Sequence, residues 1–300
     1  MDSIYGLREN SVLRTMLSEE ELRNLGDSLK LSNNVIGLED FEGYNPDEMD
    51  ALLYSPLRQE CPVRLKAVET NIANKVPLYK IIRHLLEVLN SGKIKPTPSG
   101  HLPVELVQEI YHLGYYQDDE VETGINDLAT EAASFSILIA HITLNFMKAI
   151  REIKGFLVIT KKGRELLKDS NALLKEILIT YGQQVNLSAF DQFGDNYVGR
   201  LGWSFSLVLM HKYGKEPIDP AELTFRYFRA FPALLNEIEE EDAHFCYIFR
   251  TVERFMHLLG LVRIEKGDLM EFPTLIQSTP LLYSLIALRA PKNFQDGGKN

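Results

Sequence analysis

The chain has 300 residues, of which 45% are hydrophobic and 25% are charged, and its formal net charge is −10. This length and composition fit one large or two medium domains with a sizeable buried core. The negative charge disfavours non-specific binding to nucleic acids and acidic membranes, because both are polyanions. The first ten residues lack the layout of a secretory signal and no apolar run approaches ~18 residues, so we expect a cytoplasmic protein without a membrane span.

Charge is distributed unevenly along the sequence. Residues 1–60 carry 13 acidic and 5 basic side chains, a net charge of −8, and the region is rich in turn-forming residues. We therefore expect an acidic N-terminal arm over residues 1–60, with a helical turn between Met49 and Tyr54. Residues 148–168 carry 7 basic and 2 acidic side chains, a net charge of +5, so a basic stretch lies near the middle of the chain.

Apolar periodicity predicts the main helices of the remaining chain. Leucine and isoleucine recur at helical spacing after Pro77, and Gly92 ends that helix. A second helix is predicted over residues 103–113, with the extended piece KIKPTPSG before it. Residues 136–150 predict a helix that is apolar on nearly all sides, and a helix over residues 201–210 contains the only tryptophan.

Two β-hairpins are predicted, each following an apolar helix and preceding another helix. The first spans residues 151–160 about Lys154-Gly155, and the second spans residues 261–272 about Lys266-Gly267. The two Lys-Gly turns lie 112 positions apart, and each belongs to a succession of helix, hairpin and helix. The sequence therefore predicts two tandem modules of similar design. We expect a mainly α fold with small β-hairpins, divided into an arm (1–60), a first module (61–182), an aromatic linker with a second module (183–290) and a disordered tail (291–300).

The segment VITKKGRELL, residues 158–167, leads from the first hairpin into a helix. This succession of helix, hairpin and helix resembles the winged-helix superfamily over residues 75–170 and, more weakly, over residues 220–290. The resemblance implies two tandem winged-helix-like modules, and it makes DNA binding a candidate function, because many winged-helix proteins are transcription regulators. The cations that would then contact phosphate are Lys154, Lys161, Lys162 and Arg164.

Other features of the sequence disfavour DNA binding. The helix that would read DNA in the first module is apolar, and the polar side chains that could face a groove form no consistent stripe: His141, Thr143, Asn145 and Lys148. In the second module, five carboxylates between Glu237 and Asp242 would repel phosphate, although they also suit the positive end of a helix dipole. Lysines at hairpin turns also protect edge strands from pairing, and we favour this reading of the basic stretch.

No enzymatic motif is present in the sequence. It contains no HExxH, GxGxxG, GxSxG or P-loop pattern. Cys61 and Cys246 lack partners at metal-binding spacing. The six carboxylates between Asp118 and Glu131 lack the spacing of a calcium loop, so we interpret them as part of a solvated loop. No catalytic residue, cofactor or metal site is predicted.

An aromatic, glycine-rich segment follows the first module. Residues 186–214 contain the only tryptophan and five other aromatic residues among several glycines. Such a segment can line a pocket, which would use Asp191, Phe193, Tyr197, Arg200 and Trp203. The alternative, which we favour, is that the segment joins the two modules.

Three functions therefore remain open. The favoured one is a non-enzymatic protein-interaction or scaffold protein, which uses the surfaces of its modules to bind an unidentified protein partner. The second is a DNA-binding transcriptional regulator that acts through the four cations of the first hairpin region. The third is an enzyme or small-molecule sensor that uses the aromatic segment around Trp203.

Overall fold

A computed structural model of the chain describes residues 37–266 and 272–292, so most of the acidic arm and nearly all of the predicted tail lie outside the described residues. Its α-helices are α1 (Pro46–Tyr54), α2 (Thr70–Ala73), α3 (Pro77–Ser91), α4 (Val104–His112), α5 (Asp119–Glu122), α6 (Phe135–Phe146), α7 (Lys161–Lys168), α8 (Ser170–Gln184), α9 (Trp203–Tyr213), α10 (Pro220–Ala230), α11 (Glu240–Tyr247) and α12 (Pro280–Leu285). A π-helix (Ile248–His257) continues α11. Its β-strands are β1 (Val63–Leu65), β2 (Ile150–Ile153), β3 (Phe156–Ile159), β4 (Val262–Lys266), β5 (Pro273–Ser278) and β6 (Ile286–Leu288).

The prediction of a mainly helical fold with small hairpins is confirmed. The strands pair antiparallel, two by two, as β1 with β6, β2 with β3 and β4 with β5. The first hairpin turns at Lys154-Gly155, where both residues adopt positive φ. The second hairpin extends past the predicted range, because Lys266 pairs with Pro273 and β5 continues to Ser278. In the described ranges, no helix combines the length and apolar character needed to cross a membrane.

In the described part of the chain, residues 68–185 form one compact unit, called here the first unit. Helix α3 packs against α6, α7 and β3, and it buries the apolar stripe that the sequence predicts. In the extended piece after α3, Ile94 pairs with Leu157 of β3 through backbone hydrogen bonds of 3.1 and 2.8 Å. A third extended segment therefore lies beside the hairpin of β2 and β3.

The second unit combines residues 37–67 with the described residues after 185. Helix α1 opens with a capping box, in which the Asn45 side chain accepts from the Glu48 backbone and the Glu48 side chain accepts from the Asn45 backbone. Leu52 of α1 is fully buried, and β1 pairs with β6 near the end of the described chain. The predicted helical turn is therefore a nine-residue helix inside the second unit.

The two units repeat one order of elements. Apart from the short α5 between α4 and α6, the first runs α3, Ile94, α4, α6, β2, β3 and α7, and the second runs α9, Ile218, α10, α11 with its π-helix, β4, β5 and α12. Ile218 pairs with Ile276 of β5 through hydrogen bonds of 2.8 and 2.9 Å, just as Ile94 pairs with β3. The aromatic helix that the sequence predicts over residues 201–210 is observed as α9, the opening helix of this order in the second unit.

Candidate functional site

The four cations that would contact phosphate lie on the first hairpin and on α7. Lys154 is exposed at the hairpin turn, and the Lys161 side chain is 89% exposed at the start of α7. Lys162 forms an ion pair with Glu176 of α8, and Arg164 donates a hydrogen bond of 3.2 Å to a backbone carbonyl of β3. Three of the four cations therefore have a partner, because the exposed Lys161 Nζ also lies 3.9 Å from Glu165 Oε1, and Lys154 is exposed at the turn.

Helix α6, which the winged-helix resemblance would make the DNA-reading helix, is buried on most sides. His141 and Thr143 are 4% and 0% exposed, so neither is available to face a groove, whereas Asn145 and Lys148 are exposed. The reason is that α3 and α8 pack against this helix. A helix that reads base edges presents polar side chains to the groove, and the side chains of α6 form no such face.

Glu131 is the centre of a buried polar cluster in the first unit. Its carboxylate accepts from the Leu102 backbone at 2.8 Å, and it lies 2.8 Å from His141 Nδ1 and 3.3 Å from His101 Nδ1. Burial raises the pKa of the Glu131 carboxyl, but the hydrogen bonds from His101 and His141 outweigh this effect, so the pKa lies below its usual value. The carboxylate therefore keeps its charge inside the unit.

Asp118 is a second buried carboxylate in the segment between α4 and α6. It accepts hydrogen bonds from Ser134 Oγ at 2.6 Å, from Ser136 Oγ at 2.9 Å and from the Ser136 backbone at 3.1 Å. Asp118 and Glu131 are 5% and 1% exposed, so the interpretation of a solvated loop is wrong for these two carboxylates. The chain between α4 and α6 is thus anchored by two buried acids, which gives both a structural role.

We expect Glu131 to make the stability of the chain depend on pH. Its folded-state pKa lies below the usual value of 4.5, so its stabilising effect is fully present above that pH and is lost as the pH falls through the folded-state pKa. Glu131→Gln should lower the free energy of unfolding by about 1–3 kcal/mol at neutral pH, and the difference should shrink below about pH 4.5. Urea unfolding at several pH values measures this difference, with Glu165→Gln on the exposed side of α7 as the control. A difference that is constant with pH would contradict the assignment.

In the second unit, Arg250 of the π-helix is 1% exposed. Its guanidinium donates to both carboxylate oxygens of Asp191, from Nε at 2.6 Å and from Nη2 at 2.9 Å. It also donates to the Gly194 carbonyl, the Val198 carbonyl and Asn196 Oδ1, at 2.8, 3.2 and 2.8 Å. The loop that carries these groups therefore wraps around one buried cation.

The residues of the predicted pocket lie along this loop and at the start of α9. The Asp191 carboxylate binds Arg250, and the ring of Phe193 lies 6.1 Å from that of Phe249. Trp203 is 3% exposed and packs edge-on against Phe255, with ring centroids 5.3 Å apart. The structure thus brings Asp191, Phe193 and Trp203 to the side chains of one π-helix, where they act as packing and ion-pairing groups.

The two remaining predicted residues, Tyr197 and Arg200, are half-buried in the second unit. Tyr197 donates its backbone N–H to Glu237 Oε2 at 3.1 Å. Arg200 is half-buried, and this burial lowers the pKa of its guanidinium. Gly199 between them adopts a φ of +78°, and a side chain there would lie 2.9 Å from Arg250 Cβ. Glycine at this position therefore allows the loop to approach the π-helix closely.

Large apolar side chains are exposed where α10 meets α11. Phe225 of α10 is 61% exposed, Leu235 of the connection is 41% exposed and Phe245 of α11 is 44% exposed. The two helices are joined by a hydrogen bond of 2.9 Å between Thr224 Oγ1 and His244 Nδ1, and each phenylalanine follows one of these residues. Three of the six large apolar side chains that are exposed among the described residues therefore belong to α10, α11 and the connection between them.

We define residues 220–247 as the α10–α11 corner, and it is acidic. It carries 6 acidic and 2 basic side chains, a net charge of −4. Both of its arginines form ion pairs: Arg226 with Glu42 and Glu222, and Arg229 with Asp40. Carboxylates therefore outnumber basic side chains in the corner that carries the exposed phenylalanines.

Both cysteines, Cys61 and Cys246, are buried as free thiols. Burial raises the pKa of the Cys246 thiol to about 12, so this group stays protonated at neutral pH. Within residues 37–266 and 272–292, no group of three His, Cys, Asp or Glu side chains could hold a metal ion.

Comparisons with known proteins give no match. The chain matches no protein-family model, no curated protein and no solved structure.

Proposed function

We propose that the protein is a non-enzymatic protein-interaction or scaffold protein, and that its α10–α11 corner binds a protein partner. The observation that carries this proposal is the exposure of Phe225, Leu235 and Phe245 at one helical junction. Monomeric proteins bury most large apolar side chains, and aromatic residues exposed together on a structured surface are typical anchors of protein interfaces.

Both exposed phenylalanines lie beside other side chains of the same chain. Phe245 contacts the rings of His244 and Phe272, whose centroids lie 5.4 and 4.8 Å away. The Arg229 guanidinium lies 5.6 Å from the centroid of the Phe225 ring. Because side chains that are already ordered lose little conformational entropy on association, this arrangement favours tight binding.

The charge of the corner indicates the chemistry of the partner. With a net charge of −4 around apolar anchors, the corner fits a surface that places Lys or Arg side chains around an apolar centre. Apolar contacts at the centre would supply affinity, and opposite charges at the rim would set orientation. The proposed partner is therefore a protein with a basic, partly apolar surface.

The alternative functions have weaker support. DNA binding is supported by the exposure of Lys154 and Lys161, but the burial of α6 and the net negative charge of the chain oppose it. A sensor or enzyme function around Trp203 is opposed by the contacts of this segment, because Asp191 is bound to Arg250 and Trp203 is packed against Phe255.

Affinity purification from extracts of the source cells tests the proposal with three baits: the wild type, Phe225→Ser/Phe245→Ser and Leu113→Ser/Ile125→Ser. The last is a matched control, because Leu113 and Ile125 of the first unit are 45% and 59% exposed. We expect a protein that the wild type and the control retain equally and that the corner variant loses by about tenfold or more, since interface anchors carry most of the binding energy.

The folding of each bait is checked by circular dichroism, so that a loss of binding cannot come from unfolding. Quantitative mass spectrometry then compares the recovered proteins. If every protein that the wild type retains is recovered equally by the corner variant, the corner is not the interaction surface and the proposal fails.

A further inference from the structure

The hairpin of the first unit has an outer face that is both basic and apolar. Residues that pair across antiparallel strands share one face, so Arg151 lies beside Val158, and Ile153 lies beside Phe156. The alternate positions include side chains buried against the core: Ile150, Leu157 and Ile159. Glu152, the one carboxylate of the two strands, belongs to this alternate set. The outer positions of β2 and β3 therefore carry no negative charge.

The extended segment beside the hairpin adds two more cations to this face. Because Ile94 pairs with Leu157 and is buried, its neighbours Lys93 and Lys95 lie on the outer side, and both are exposed. Lys93 Nζ lies 3.7 Å from the centroid of the Phe156 ring. Together with Lys154 at the hairpin turn, these residues make up what we call the wing face: Lys93, Lys95, Arg151, Ile153, Lys154, Phe156 and Val158.

The wing face has the chemistry that the α10–α11 corner requires of a partner. Four cations border an apolar centre, in which Ile153 is 40% exposed and Phe156 is half-buried. The α10–α11 corner has the opposite charge, because it carries exposed phenylalanines and a net charge of −4. We infer that the wing face of one copy of the chain binds the corner of a second copy. This inference rests on the proposed function, because it names the partner of the same corner.

Charge also determines how two copies associate. A contact between two corners would bring carboxylates together, and a contact between two wing faces would bring cations together, so both symmetric contacts are disfavoured. Contact between a corner and a wing face is favourable, and it joins two different surfaces. Such head-to-tail contacts leave one free surface of each kind on a dimer, so association continues to larger assemblies unless a ring closes.

Sedimentation velocity of the purified full chain tests this inference. The wild type should exceed its monomer mass of 34.2 kDa as its concentration rises in about 0.1 M NaCl, and association should weaken in about 1 M NaCl, because the Debye length falls from about 10 to about 3 Å. Phe225→Ser/Phe245→Ser (the corner variant) and Lys95→Glu/Arg151→Glu (the wing variant) should each associate at least about tenfold more weakly. Leu113→Ser/Ile125→Ser should behave as the wild type.

Mixing the two variants gives the sharpest readout. The wing variant keeps an intact corner and the corner variant keeps an intact wing face, so the mixture should form a one-to-one dimer and nothing larger. A mixture that stays monomeric while the wild type associates would overturn the inference, as would a wing variant that associates like the wild type. A wild type that stays monomeric at every concentration would also overturn it. In that case, a partner lost only by the corner variant in cell extracts would still support the proposed function.

Discussion

Replacing Arg250 with alanine is expected to lower the free energy of unfolding of the second unit by about 3–5 kcal/mol. The substitution leaves the Asp191 carboxylate, which is 2% exposed, without the guanidinium that faces it at 2.6 Å. It also removes a donor to the buried Val198 carbonyl and the shorter of two hydrogen bonds to the Gly194 carbonyl. A buried charge without a partner and buried acceptors without donors both cost free energy, so the loop around Arg250 should lose its fixed conformation.

Denaturant unfolding followed by Trp203 fluorescence measures this effect, because Trp203 is the only tryptophan and belongs to the second unit. Arg263→Ala is the matched control, since Arg263 is exposed on β4 and donates to Gln277 at 3.1 Å. We expect the control to change stability by less than about 1 kcal/mol. If Arg250→Ala is no less stable than Arg263→Ala, the ion pair does not hold the loop.

The helices and the first hairpin could be predicted from the sequence because their signals are local. Helix α3 carries an apolar stripe within one segment, and the Lys154-Gly155 turn follows a helix and precedes β-branched residues. Pairings between distant segments left no such signal. The contact of β1 with β6 joins residues more than 200 positions apart, and the pairing with Ile276 of β5 involves the single residue Ile218, which lies outside any strand.

The functional regions also depend on contacts between distant segments, which leave no local signal in the sequence. The glycine-rich aromatic segment was recognisable as unusual, but the partner of Asp191 lies 59 positions away, on a helix whose face mixes charged and apolar residues. Exposed Phe225 and Phe245 could not be recognised, because aromatic residues within amphipathic helices are usually core residues. Ion pairing and exposure depend on the packing of distant elements, so only the structure identifies them.

The motif that carries the winged-helix resemblance has a physical explanation in the structure. Thr160 caps α7, since its Oγ1 accepts from the Gly163 backbone at 3.1 Å and donates to the Lys148 carbonyl at 2.8 Å. Gly163 lies where α7 passes the backbone just before β2, and a Cβ atom there would be 2.2 Å from the Ala149 carbonyl oxygen. The threonine fixes the start of the helix, and the glycine allows its close approach to the hairpin.

Gly163→Ala is therefore expected to destabilise the first unit by about 3 kcal/mol or more, because the added methyl group meets a backbone oxygen that cannot move without displacing the hairpin. Hydrogen exchange of peptides from α3, α7 and β3 measures the loss, and these segments should exchange faster together because they pack on one another. Gly92→Ala is the control, since no atom lies within 4 Å of a Cβ at that position. We expect this control to exchange like the wild type. Equal protection in Gly163→Ala and Gly92→Ala would show that α7 can shift away from the hairpin at little cost, contrary to the close packing described here.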